Sequence, residues 1–101
     1  MKSTYRIIWT LRAFENLKRI INYLEENWTD KEIKNFSYRL NIYLAFIEKK
    51  PRSFPASKNK LNIRRAVITK HNTIYYKIRK DTIALIAIID NRQNPKKRKI
   101  L

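Results

Sequence analysis

The chain has 101 residues, no cysteine, no glycine, a single histidine and a formal charge of +16. That length suits one domain with one core. The missing cysteines exclude disulfide and thiol chemistry, and the missing glycines exclude phosphate-binding loops built on them. One histidine and eight carboxylates also argue against a histidine-rich metal site. No cofactor and no metal ligand set is expected.

Residues 58–101 carry thirteen basic and two acidic side chains, +11 of the total. Such an excess favours a nucleic acid, an anionic membrane surface or an acidic protein as partner. The first residues, Met1-Lys2-Ser3-Thr4-Tyr5-Arg6, lack the apolar centre of a signal peptide. No apolar run approaches the ~20 residues that span a bilayer, so a cytoplasmic protein without a membrane partner is expected.

Tyr5 to Trp9 is a short apolar run with β-branched and aromatic residues and reads as a first strand. The period then lengthens: Phe14, Leu17, Ile21, Leu24 and Trp28 step by three and four, the seam of an amphipathic helix. Thr29 and Glu32 have capping-box spacing, and Trp28 with Ile33 fits the hydrophobic staple beside it. Ile33, Phe36, Leu40, Tyr43 and Ile47 form a second seam. Lys49 and Lys50 suit that helix's negative end, and Pro51 stops it. The short connection near Asn27–Asp30 predicts an antiparallel helical hairpin.

Residues 51–60 hold two prolines and read as a loop. Three strands are expected after it, with turns at 69–72 and at Arg79-Lys80-Asp81. In the first, Leu61, Ile63 and Val67 alternate with Asn62, Arg64 and Ala66, which places Arg65 on the apolar parity. A second runs over 73–78. The third, Thr82 to Ile89, is almost wholly apolar, as expected of a strand covered on both faces or central in its sheet. The prediction is an α+β fold of order β-α-α-β-β-β, a helical hairpin on a mainly antiparallel four-stranded sheet. The domain is expected over 1–95, with residues 96–101 as a basic tail.

Nucleophilic triads lack material, and His71 beside Asn72 reads as a turn histidine. The stronger set is cationic: Arg64, Arg65, Lys70, Lys77, Arg79 and Arg92, with Lys96 and Lys97 in the tail. Arginine offers a fixed, permanently charged fork for phosphate, and Tyr75 and Tyr76 offer stacking faces. Strand neighbours point to opposite faces, so one arginine of Arg64–Arg65 and one of the two tyrosines share a face.

Several motifs in order resemble the RelE/ParE superfamily of toxins from bacterial type II toxin–antitoxin modules. They are Ile8-Trp9-Thr10 entering a helix with Ala13, Leu17, Ile20 and Tyr23-Leu24, then Pro51 and Phe54-Pro55. Ile63-Arg64-Arg65, Lys70-His71-Asn72, Tyr75-Tyr76 and Asp90-Asn91-Arg92-Gln93-Asn94-Pro95 follow. The resemblance implies a small growth-arresting toxin of the kind linked to plasmid stabilisation, held inactive by a cognate acidic antitoxin.

RelE-like members cleave mRNA on the ribosome without a metal, whereas ParE-like members inhibit DNA gyrase. For a ribonuclease, the resemblance implies Arg65 and Arg92 as catalytic groups, with Arg64 and Tyr75 as lesser candidates. The ribonucleases nearest in pattern carry Arg after the turn histidine and His-Tyr near the C-terminus; Asn72 and Asn94-Pro95 stand there in this chain. The expectation is therefore a ParE-like inhibitor acting on gyrase. An mRNA endoribonuclease is the alternative, and a non-toxic nucleic-acid-binding protein the second. The pattern sets no oligomeric state.

Overall fold

The structure, a computed structural model, describes residues 5–57 and 62–92. The strand β1 (Arg6–Trp9) is followed by helices α1 (Leu11–Asn27) and α2 (Asp30–Lys49) and a 3₁₀ turn over Pro51–Ser53. Strands β2 (Arg64–Val67), β3 (Asn72–Arg79) and β4 (Thr82–Asp90) complete the fold. The sheet order is β1-β4-β3-β2. The hairpin neighbours β2–β3 and β3–β4 are antiparallel, while β1 runs parallel to β4. The mainly antiparallel α+β expectation holds, and the parallel pair follows from the helical hairpin that carries the chain back across the sheet. The apolar strand is central, which explains its composition.

Thr10 starts α1: its hydroxyl accepts from Ala13 N–H at 3.1 Å and donates to Leu85 C=O at 2.6 Å, tying the helix to β4. The seam of α1 is Ala13, Leu17, Ile20 and Leu24. It differs from the expected one at both ends, where Phe14 and Trp28 are 49% and 43% exposed. Ala13 lets the helix approach β4 closely, and that rotates Phe14 outward.

In α2, Phe36, Leu40 and Ile47 are buried as expected. Its start departs from a capping box. The Thr29 hydroxyl donates to Glu32 Oε1 at 2.5 Å instead of accepting a backbone N–H, and the Thr29 carbonyl takes the N–H of Glu32 at 3.1 Å. The Arg92 guanidinium lies over the Trp28 ring, 5.3 Å from the ring centroid.

Both helices cover one face of the sheet, and the core lies between them and Ala66, Ile74, Tyr76, Ile83, Leu85 and Ile88. The register sets the faces. Ala66 pairs with Ile74 and Arg64 with Tyr76 on the helix side; Arg65 pairs with Tyr75 and Val67 with Thr73 on the other. The alternation expected for β2 is therefore inverted: Ala66 is fully buried and Val67 is 50% exposed. Tyr76 and Ile74, long residues fixed in the core, demand a small partner at Ala66, and they override the local pattern. Ile63 is buried just before the strand begins; Leu61 lies outside the described residues. A bulge at Ile86 breaks the β3–β4 ladder, where Tyr75 pairs with Ala87 and Tyr76 with Leu85. Asn16 Oδ1 accepts the N–H of Ile88 nearby at 3.0 Å.

Candidate functional site

The sheet divides the cations singled out by sequence. Arg65 on β2 and Lys77 and Arg79 on β3 share the face without helices, together with Tyr75 and, from β1, Arg6. Among the described strand residues no carboxylate lies on that face; the strand carboxylate, Asp90, is buried on the other side. Ile8 and Val67 are exposed there as well. The open face is thus basic, partly apolar and carries one half-buried tyrosine, a surface for binding an anionic or acidic target.

Arg64 and Tyr76 occupy the opposite face and are committed to the fold. Arg64 Nη1 donates to the Phe54 carbonyl at 2.6 Å and lies 3.5 Å from that of Arg52, pinning the segment after α2 to β2. The Tyr76 hydroxyl donates to the buried Pro51 carbonyl at 2.5 Å. Burial pushes its phenol up to about 12 against the opposing Arg64 charge, so it remains a neutral donor. Phe54 packs edge-on against Tyr76 and Phe46.

A second feature lies where the β2–β3 turn and the end of β4 meet the helical hairpin. The Thr69 hydroxyl accepts from the N–H groups of His71 and Asn72, each at 3.0 Å, and donates to Asn72 Oδ1 at 2.7 Å. Asn72 Nδ2 donates to Asp90 Oδ2 at 3.1 Å. Asp90 also receives Arg92 Nε on Oδ1 at 3.1 Å and Nη2 on Oδ2 at 2.8 Å, a two-pronged ion pair. Burial would raise the Asp90 carboxyl, but the hydrogen bonds from Arg92 and Asn72 and the Arg92 charge together hold it below its ordinary value. The Arg92 side chain is 14% exposed, and its guanidinium lies over Trp28 and 5.9 Å from the Tyr23 centroid.

Beside this network opens a cleft of about 670 Å³, walled by Trp28 and Arg39 from the helices, Val67 and Lys70 from the β2–β3 hairpin, and Arg92. Sequence reasoning missed Arg39. Its Nε donates to the Ile68 carbonyl, and its guanidinium lies 5.6 Å from the Tyr43 centroid. The signal available was a lone arginine beside the apolar seam of α2. It also missed Asn72 and Asp90 as a buried pair. Lys96 and Lys97 lie outside the described residues. No three His, Asp or Glu side chains gather among the described residues, and no described helix is long and apolar enough to cross a membrane.

A helical hairpin on one face of a small mixed sheet, with a basic opposite face, is the architecture of the RelE/ParE toxins. The family model described as ParE toxin of type II toxin–antitoxin system, parDE, matches residues 7–95. The chain belongs to that family and is a type II toxin–antitoxin toxin by descent.

Solved structures share the fold at low identity. A chain of the chromosomal ParDE system from P. aeruginosa superposes with a TM-score of 0.73 at 9% identity, over 88% of this chain and 98% of that one. The YoeB/ParE toxin from Agrobacterium tumefaciens gives 0.62 at 11%, over 84% and 96%. The YoeB dimer from Staphylococcus aureus gives 0.59 at 16%, over 85% and 95%. No curated protein matches the sequence significantly.

Proposed function

We propose that this toxin arrests growth in the ParE manner, by binding DNA gyrase through the open face of its sheet. One observation carries the reading: among the described strand residues, no histidine or carboxylate stands beside the cations on that face. Arg65, Lys77 and Arg79 stand there without a histidine or carboxylate on the described strands. The single histidine, His71, belongs to the β2–β3 turn, and Arg92 is bound to Asp90. Phosphodiester cleavage most often relies on a histidine or carboxylate for proton transfer, whereas inhibition by binding needs a charged, shaped surface.

Supercoiling by purified gyrase, measured with and without the purified toxin, tests this. Inhibition is expected, weakened at least tenfold by the double substitution Arg65→Glu, Lys77→Glu. Unimpaired supercoiling would rule the reading out.

A second reading, a ribosome-dependent mRNA endoribonuclease, is favoured by one pair. Arg65 and Tyr75 face each other across β2 and β3 on the open face, where a cation is placed to stabilise charge on a scissile phosphate. It predicts mRNA cleavage on ribosomes that Arg65→Ala abolishes. Plain nucleic-acid binding without toxicity is the weakest reading, because the family is that of toxins.

A further inference from the structure

Strand β4 does not keep a regular alternation. Ile83 and Leu85 belong to the core, and the next β4 residue in it is Ile88, three positions on. The bulge accounts for that step: Tyr76 pairs with Leu85 but Tyr75 with Ala87, so one extra residue shifts every later pairing. On the open face the shift sets Ala87 opposite Tyr75. On the helix side it sets Asp90 opposite Asn72, the pair that holds Arg92. Continued from Tyr76↔Leu85 without a bulge, the ladder would oppose Tyr75 to Ile86 and Asn72 to Ile89. Its helix side would then carry Ile83, Leu85, Ala87 and Ile89, all apolar, while Ile86, Ile88 and Asp90 turned to the open face. Apolar patterning alone does not select the observed register.

A bond from α1 does discriminate. The carbonyls of Asp81 and Leu85 accept from Arg6 N–H at 2.9 Å and Thr10 N–H at 3.3 Å, so these odd-numbered residues of β4 aim their backbone groups towards β1. In a regular strand Ile88 would aim its N–H the other way, at β3. Past the bulge that N–H is turned to Asn16 Oδ1, 3.0 Å away, beyond the point where β1 ends with Trp9 opposite Leu85. We propose that Asn16 is a positioning residue for the open face: its bond to Ile88 pins the bulge and fixes the register in which Tyr75 and the neighbouring cations meet their target. The inference rests on the reading that this face binds gyrase, but its claim about register is tested separately.

The test compares the unmodified full chain with Asn16→Leu, which loses the acceptor at similar volume, and Asn16→Asp, which keeps it. Deletion of Ile86 gives a second background, because it removes the bulge yet leaves Tyr75 opposite Ala87 and Asn72 opposite Asp90. Cross-strand pairing is read from nuclear Overhauser effects, and function from the concentration that half-inhibits supercoiling. Asn16→Leu is expected to show Tyr75–Ile86 contacts and inhibition weaker by about tenfold, the scale of one unmade buried hydrogen bond. Asn16→Asp should restore both, and Asn16→Leu should change neither when Ile86 is deleted. Unchanged pairing or unchanged inhibition in Asn16→Leu would overturn the proposal, as would an equal loss with and without Ile86, the mark of a general support of the fold. Should Asn16→Leu not fold, recovery on deleting Ile86 upholds the proposal and failure there as well overturns it. Supercoiling left intact by the unmodified toxin would remove the gyrase reading and the positioning role with it, while the pairing in Asn16→Leu would still decide whether Asn16 sets the register.

Discussion

Asp90 has no solvent-exposed side-chain surface and accepts from Arg92 and Asn72. Removing the cation leaves a buried charge without its counter-ion, so Arg92→Ala is expected to destabilise the fold by about 3 kcal/mol, measured by urea unfolding at pH 7. The pH dependence has a definite sign. The folded carboxyl lies below its ordinary 3.8, so its stabilisation is complete above about pH 4 and is lost as pH falls through the depressed value. The gap between the unmodified protein and Asp90→Asn should therefore close in acid. Tyr76→Phe is a smaller change. It strips the Pro51 carbonyl of its donor and should cost about 1–2 kcal/mol. Little of this was readable beforehand. Asn72 and Asp90 are eighteen positions apart, and nothing local marks a polar pair as buried together. Arg92 stood out by its family position, whereas its ion pair depends on where β4 ends.

Element by element, the periodic signals were reliable and the parity signals were not. The step of three and four fixed both helices, Pro51 ended the second, and the unbroken apolar run became the central strand. The four-residue β2 is too short for its own alternation to set its faces; its register against Tyr76 and Ile74 sets them instead. The β3–β4 turn shows how a chain without glycine manages a tight reversal, with Lys80 at φ 48° and the Thr82 hydroxyl bonded to the Arg79 carbonyl at 3.0 Å. At the other junction, the Thr10 hydroxyl ties the start of α1 to β4. Thr10→Ala removes a helix cap and the donor to Leu85 together, so a loss of about 1–2 kcal/mol is expected. The check is the thermal midpoint by circular dichroism, with an unchanged spectrum below the transition.

At the scale of the whole molecule, the sheet separates two surfaces. One is the open face with Arg65, Lys77, Arg79 and Tyr75; the other is the cleft framed by Trp28, Arg39, Lys70 and Arg92. A flat list of basic residues cannot make that division, because it depends on register and on which face the helices cover. On the proposed reading, binding through the open face would be electrostatic, so gyrase inhibition is expected to weaken as salt rises. The most direct measurement runs gyrase supercoiling and ribosome-dependent mRNA cleavage side by side on one toxin preparation. The account predicts inhibited supercoiling, relieved by Arg65→Glu with Lys77→Glu, and intact mRNA. Cleaved mRNA with supercoiling unaffected would contradict it.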